Sequence, residues 1–236
     1  MPDTTNDQNN DDSWSGRYPT GGIPPQPFHV LIPEEVPPII TERLYLRSIR
    51  EDDVEGILKT WLSQPPEKAF WHPDDPEPSI EAVHDWRKRK TFSEPPLAAG
   101  RNFYFVIIQR SDPTGQVIGA IGMNVVTPLP NVGYGLHYDV WGKGYATEAL
   151  QAVLKAWWEL PREVPADDGG VGIGVGREKV VANAVKSNTA SMRVLEKCGF
   201  TVYAEGEDQN GDIVCCLSAD GPDVSKLKKL KSLELG

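Results

Sequence analysis

The sequence predicts an α+β domain in which a mixed, mostly antiparallel sheet is flanked by helices. Three observations carry that expectation. Apolar or alternating segments with strand periodicity recur between turn signals, several of them close enough to pair as hairpins. Ala146, Ala149, Leu150, Val153, Leu154, Trp157 and Trp158 follow i, i+3, i+4 spacing, the strongest helical pattern in the chain. Between an alternating strand and that helix lies Trp141-Gly142-Lys143-Gly144-Tyr145-Ala146-Thr147-Glu148-Ala149. Its glycines let backbone amides approach a ligand closely, and the helix start adds unpaired N–H groups and the positive end of the dipole. That combination suits a diphosphate.

The elements follow in order. Residues 1–38 are rich in Asn, Asp, Gln, Thr, Gly and Pro, and read as an acidic tail too polar to offset its ordering entropy. Within it, Phe28 to Ile32 reads either as a short added strand or as a docking segment. The domain is expected over 39–220. Ile40 to Arg47 alternates as a strand. Asp52 and Asp53 are placed to cap a helix bearing Val54, Ile57, Leu58, Trp61 and Leu62. A proline-rich stretch, 65–78, leads to a second helix from Ile80 to about Phe92. Ser79 caps it, and Val83, Trp86 and Lys90 fall along one side. Asn102 to Gln109, apolar on both faces, is an interior strand. Asp112-Pro113-Thr114-Gly115 turns it into a return strand, Gln116 to Val126. Asn131 to Val140 alternates Val132, Tyr134, Leu136 and Tyr138 against Gly133, Gly135, His137 and Asp139. After the long helix, 161–179 reads as a flexible insertion and Val180 to Val185 as a strand. Asn188 opens a helix with Met192, Leu195 and Cys198 inward, stopped by Gly199. Phe200 to Glu205 and Asp212 to Ser218 form a last hairpin around Asn210-Gly211. Residues 221–236 are a Lys/Leu-rich tail.

The formal net charge is −10, half of it carried by the tail, which argues against a nucleic-acid-binding surface. Cys198, Cys215 and Cys216 offer neither a disulfide framework nor a metal-ligand spacing, so a reduced, cytoplasmic setting and no metal are expected. No apolar run approaches a membrane span, and the polar start shows neither signal nor transit peptide.

Four pieces of sequence, in order and at matching spacing, resemble the GNAT N-acetyltransferase superfamily, and its ribosomal-protein alanine N-acetyltransferase (RimJ/RimL-like) branch in particular. They are Thr41-Glu42-Arg43-Leu44-Tyr45-Leu46-Arg47; Gly133-Tyr134 with the glycine junction; Asn188-Thr189-Ala190-Ser191; and Val194-Leu195-Glu196-Lys197-Cys198-Gly199-Phe200. The resemblance implies the acyl-CoA N-acyltransferase fold. It implies a V-shaped splay between the fourth and fifth strands, where acetyl-CoA is held as co-substrate, and an amine acceptor that attacks the thioester directly. That acceptor is a peptide N-terminus or a small molecule. Carried over residue by residue, Gly135, Leu136 and His137 would meet the pantetheine arm, one of their amides polarising the thioester carbonyl. Gly142, Lys143, Gly144, Tyr145, Ala146 and Thr147 would hold the diphosphate, and Asn188 would reach the pantetheine as well as capping its helix.

The chain also departs from the family. Trp141 stands where Gln or Arg is usual. Leu195 stands where many members have a tyrosine general acid, and Asn131 where many have a glutamate. The remaining candidates for proton transfer are Ser191, His137 and Asp139, with Glu42 as much a surface or structural charge; His137 reads more readily as a strand histidine with a satisfied hydrogen bond, and Asp139 as a loop or helix-entry residue. Trp61, Trp71, His72, His84, Trp86 and Tyr104 fall where an acceptor pocket would be built, although tryptophans at helical spacing also suit a core. Missing acid and base keep open a non-catalytic acyl-CoA-binding module. A P-loop or dinucleotide site fails on spacing: Gly142-Lys143-Gly144 has no Ser or Thr after Lys and no upstream Gly.

Overall fold

The computed structural model describes residues 23, 26, 28–65, 77–163, 176–208 and 211–223. Their order is β1 (His29–Val30), β2 (Ile39–Ile40), β3 (Leu44–Ser48), α1 (Val54–Leu62), α2 (Ile80–Lys88), β4 (Tyr104–Gln109), β5 (Val117–Val125), β6 (Asn131–Leu136), α3 (Tyr145–Glu159), β7 (Arg162–Glu163), β8 (Arg177–Val185), α4 (Thr189–Lys197), β9 (Thr201–Glu207) and β10 (Ile213–Asp223). Eight strands form one sheet in the order β2-β3-β4-β5-β6-β8-β10-β9, antiparallel at every junction except β6–β8. This is the expected α+β class.

Strand alternation sends side chains to two cores. Phe103, Phe105 and Ile107 face α3 and α4, packing with Leu150, Val153, Trp157 and Leu195. Tyr104, Val106 and Ile108 face α1 and α2, packing with Ile57, Val83 and Trp86. The doubly apolar reading of β4 is explained by this burial on both sides.

β6 and β8 run parallel but meet at one register position, Asn131 opposite Val181, where the Val181 amide donates to the Pro130 carbonyl at 2.8 Å. Beyond it, β6 continues to Leu136 and β8 to Val185 with no further ladder between them among the described residues. The V-shaped splay is therefore present, with its vertex at Asn131 and Val181. Below the vertex the side chain of Gln26 completes the edge of β8, accepting from the Lys179 amide at 2.8 Å and donating to its carbonyl at 2.9 Å.

Several sequence expectations are corrected. Phe28, Val30 and Ile32 are buried in the α3-side core, and β1 pairs with β7, so the folded unit begins before the boundary at residue 38. Of the two readings of Phe28 to Ile32, the short added strand is the one present. The insertion read over 161–179 has ordered ends. Arg162 lies in β7, Glu178 in β8, and the two pair at 2.8 Å, with Trp157 Nε1 donating to Glu178 at 3.0 Å. Burial raises the Glu178 carboxyl, and the Arg162 guanidinium opposes that shift. Asp53 does not cap α1 through its side chain. It is buried beneath a 3₁₀ turn, bound to Arg47 at 2.6 and 2.7 Å and accepting from the Arg50 amide at 2.7 Å. α2 stops at Lys88, short of Phe92. Trp71, His72, most of the 65–78 stretch, Asn210 and residues 224–236 lie outside the described residues.

The buried N-terminal segment has a measurable consequence. Phe28→Ala should lower unfolding stability by about 3 kcal/mol, the usual cost of emptying a buried aromatic site. Denaturant titration checks this; a loss within about 0.5 kcal/mol, as for a surface position, would return Phe28 to the tail.

Candidate functional site

β6 sets the polarity of the splay. The His137 amide donates to the Ile118 carbonyl of the neighbouring strand β5 at 2.8 Å. By strand alternation, odd-numbered amides of β6 point toward β5 and even-numbered ones, Tyr134 and Leu136, point into the splay. On the opposite wall the Val181 bond at the vertex places Asn183 in the same phase. Buried backbone groups without a ladder partner require one from elsewhere, so an amide-bearing arm fits between the strands. Of Gly135, Leu136 and His137, only Leu136 presents its amide to this space. The Leu136 carbonyl accepts from Trp141 Nε1 at 2.8 Å and Gln64 Nε2 at 3.3 Å.

β6 ends at Leu136 rather than Val140. His137 opens a 3₁₀ turn, Tyr138–Val140, its Nδ1 accepting from the Asp139 amide at 3.3 Å. The Asp139 side chain is 82% exposed. His137 is thus a turn residue bound to its own backbone, and its Nδ1 lies 3.8 Å from the exposed Asp139 carboxylate. Trp141, the departure from the family motif, closes the turn by its bond to Leu136, and the Ser63 hydroxyl accepts from the Tyr138 amide at 2.9 Å.

The cradle follows. Gly142 and Gly144 have φ of +73° and +81°, a region costly for other residues. Gly144 is the N-cap of α3 and offers no side-chain cap; the first intrahelical bond runs from the Glu148 amide to the Gly144 carbonyl at 3.1 Å. The amides of Tyr145, Ala146 and Thr147 thus start the helix without intrahelical partners, and the Lys143 side chain is exposed beside them. Donors, dipole and cation fit a diphosphate.

Sequence reasoning missed what fixes this loop. Glu148, one turn into α3, accepts from the Thr41 hydroxyl at 2.6 Å, the Arg43 amide at 2.9 Å and Arg43 Nε at 2.7 Å. Arg43 then donates to the Lys143 carbonyl at 2.9 Å and lies 4.6 Å from the centre of the Tyr145 ring. Burial pushes the Glu148 carboxyl up, but the bonds from Thr41 and Arg43 outweigh it, and the group lies below its usual range. Both partners stood in motifs already noted, Thr41-Glu42-Arg43 and Thr147-Glu148-Ala149; only their pairing across 105 residues was invisible. Glu42 itself occupies the exposed turn between β2 and β3.

Across the splay, the Tyr134 hydroxyl lies 3.0 Å from the Ser191 hydroxyl and 3.3 Å from the Ser191 carbonyl. Asn188 caps α4 by accepting from the Ser191 amide at 3.0 Å. Burial pushes the Tyr134 phenol up to about 12, against the lowering effect of the Ser191 bond, so it stays a neutral donor. Leu195, at the place of the family tyrosine, is core. On the α1/α2 side, Trp61, Trp86 and Tyr104 stack edge to face at 5.4 and 5.2 Å. With Gln64 and Gly135 they line a cavity of about 10 Å³, room for one water. His84 lies on the outer side of α2, 2.9 Å from Glu51.

The acetyltransferase (GNAT) domain model matches residues 43–201, so the chain belongs to the GNAT acetyltransferase family. An uncharacterised N-acetyltransferase, p20, from Bacillus licheniformis is 25% identical over 165 residues, 69% of this chain and 81% of that protein. Among solved structures, a ribosomal-protein alanine acetyltransferase from Vibrio fischeri superposes with a TM-score of 0.57 at 18% identity, over 80% of this chain and 99% of the other. The RimL ribosomal-protein acetyltransferase, solved with coenzyme A, gives 0.57 at 18% identity, over 78% and 98%. The chain is an acetyl-CoA-dependent acetyltransferase that moves the acetyl group to an amine. A purely acyl-CoA-binding module is not favoured. No helix among the described residues is long and apolar enough to cross a membrane.

Glu148→Gln or Arg43→Met should raise KM for acetyl-CoA about tenfold, equivalent to about 1.4 kcal/mol, and change kcat less than about threefold. Because the Glu148 carboxyl lies below its unfolded range, its bracing is complete above that range and lost as pH falls through the folded value. The KM rise of the wild type should therefore appear only in acid. Steady-state kinetics at varied acetyl-CoA concentration checks both; a fall in kcat at unchanged KM would contradict them.

Proposed function

We propose that this acetyltransferase acts on the α-amine of a protein or peptide, in the cytoplasm. The carrying observation is the splay: its free backbone edge leads from the glycine cradle to a vertex occupied by Asn131 in place of a carboxylate. An α-amine has an ordinary pKa of about 7.7–8.0, against about 10.4 for an alkyl ammonium. At pH 7 about a tenth to a sixth of it is therefore neutral, against well under a thousandth of an alkyl ammonium, so a weaker base suffices. The names of the structural neighbours, two of them ribosomal-protein acetyltransferases, point the same way.

In this reading the amides of Gly142, Gly144, Tyr145, Ala146 and Thr147, with Lys143 beside them, hold the diphosphate of acetyl-CoA. The Leu136 amide and Asn183 line the pantetheine channel, with Asn188 at its α4 side. The Leu136 amide donates to the thioester carbonyl as negative charge gathers on its oxygen. When the C–S bond breaks, the hydroxyls of Tyr134 and Ser191 donate hydrogen bonds to the thiolate. A phenol pushed up to about 12 keeps its own proton against a thiolate of ordinary pKa, about 8.5, so the thiolate takes its proton from water.

Free-thiol release from acetyl-CoA, measured over a panel of N-terminal peptides and small amines, tests the reading. Turnover with peptide α-amines well above that with polyamines and aminoglycosides is expected, and the reverse order would refute it. Gly144→Glu should abolish acetyl-CoA binding by calorimetry. Tyr134→Phe and Ser191→Ala should each lower kcat about tenfold while leaving that binding intact.

A further inference from the structure

Three charged side chains are buried among the described residues: Asp53, Lys90 and Glu178. Arg47 answers Asp53 and Arg162 answers Glu178. Lys90, just past the end of α2, is answered by an amide. Its Nζ donates to Asn124 Oδ1 at 2.7 Å and lies 5.0 Å from the ring centres of both Trp86 and Tyr104. Asn124 in turn donates from Nδ2 to Asn131 Oδ1 at 3.0 Å. Two hydrogen bonds therefore join Lys90 to Asn131, the β6 residue at the vertex of the splay.

Between β5 and β6 the register passes from Met123 opposite Val132 to Val125 opposite Asn131, so Asn124 is the extra residue of a β-bulge. A bulge bends its strand and increases the local twist. This one faces the position at which β6 meets β8 and then leaves it. The Asn124 side chain lies over Gly133, where a Cβ would come within 2.6 Å of Nδ2. The Tyr104 hydroxyl reaches the Gly133 carbonyl at 3.4 Å. Bulge, vertex and buried lysine thus meet in one side-chain pair, Asn124 and Asn131.

Past the vertex, the amides of Tyr134 and Leu136 on β6 and of Asn183 on β8 point into the splay without a ladder. Two parallel edges so placed can satisfy each other by continuing the ladder, because unpaired backbone groups take whatever partner is near. A sheet closed in that way has no room for a pantetheine arm. We propose that Lys90 is a positioning residue for acetyl-CoA binding: through Asn124 it fixes the bulge, and so keeps β6 from closing on β8. The proposal rests on the placing of acetyl-CoA in the splay. Desolvation lowers the Lys90 ammonium to about 7, and the Arg89 charge adds to the shift. Nζ carries N–H groups for Asn124 in either protonation state, so the relay survives that shift.

Lys90→Met keeps an unbranched apolar stem and removes the donor together with its buried charge, a replacement that folded proteins tolerate well. If the open form falls to about a tenth of the population, the apparent Kd for acetyl-CoA rises about tenfold. The same closure slows hydrogen exchange at the Tyr134, Leu136 and Asn183 amides of the ligand-free protein about tenfold. In turnover the loss should fall on KM for acetyl-CoA rather than on kcat. Asn131→Ala, which cuts the relay at its far end, should reproduce the loss of affinity, and the double variant should lose no more than either alone.

Calorimetry with acetyl-CoA and exchange followed by NMR test the proposal. Faster exchange at those three amides in Lys90→Met would mean a loosened core instead of a closed splay, and would overturn it. So would losses of affinity that multiply in the double variant. Affinity within twofold of wild type in Lys90→Met, with Gly144→Glu still abolishing binding, would overturn the role of Lys90 alone. Binding unmoved by Gly144→Glu and Lys90→Met alike would remove acetyl-CoA from the splay and sink both readings together.

Discussion

The divergence of β6 from β8 after one shared register position is the constraint around which the rest is arranged. Up to Asn131 and Val181 the sheet is continuous; past them two interior strands each keep one unpaired edge. Such edges are costly unless something else supplies donors and acceptors. Below the vertex the chain supplies its own partner, the Gln26 amide on Lys179. Above it the edges are left to a ligand whose backbone-like amides can complete them. The helices follow from the same geometry. α3 begins where β6 has turned out of the sheet and α4 where β8 ends, so two helix starts flank the mouth of the splay.

Charge is graded along this channel. At the mouth, Lys143 and Arg43 are exposed, suited to a diphosphate that keeps part of its hydration. Arg43 is tied to Glu148, so its guanidinium orients the loop as well as adding charge. Midway, the Tyr134 and Ser191 hydroxyls are neutral donors. On the α1/α2 face, Lys90 donates to Asn124 and lies beside the rings of Trp86 and Tyr104. Along the splay the groups change from permanent cations at its mouth to neutral donors within it.

Much of the site was legible because it is local. The cradle depends on Gly142, Gly144 and the first turn of α3, all within a few residues, and Asn188 caps α4 from the adjacent position. Departures from legibility have separate causes. Asp53 matched a cap pattern, yet a bidentate partner six residues upstream drew its carboxylate inward. His137 and Asp139 matched strand alternation, but Trp141 and Ser63 bind the backbone on either side of them and fold it into a turn. For Phe28 to Ile32 the sequence left an added strand and a docking segment open, and pairing with β7, more than a hundred residues away, decides for the strand.

The sequence by itself determined the class of domain, the order of its elements, the family and the place of the glycine loop before α3, because periodicity and glycine placement act over neighbouring residues. The tertiary structure decided the bracing of that loop by Arg43 and Glu148, and which amides of β6 face the splay. It also decided the union of Tyr134 with Ser191 and of Lys90 with Asn131. Each of these depends on a strand's phase relative to its neighbour or on residues far apart in the chain. Burial, which lowers the Lys90 ammonium from its ordinary value, likewise exists only in the folded chain.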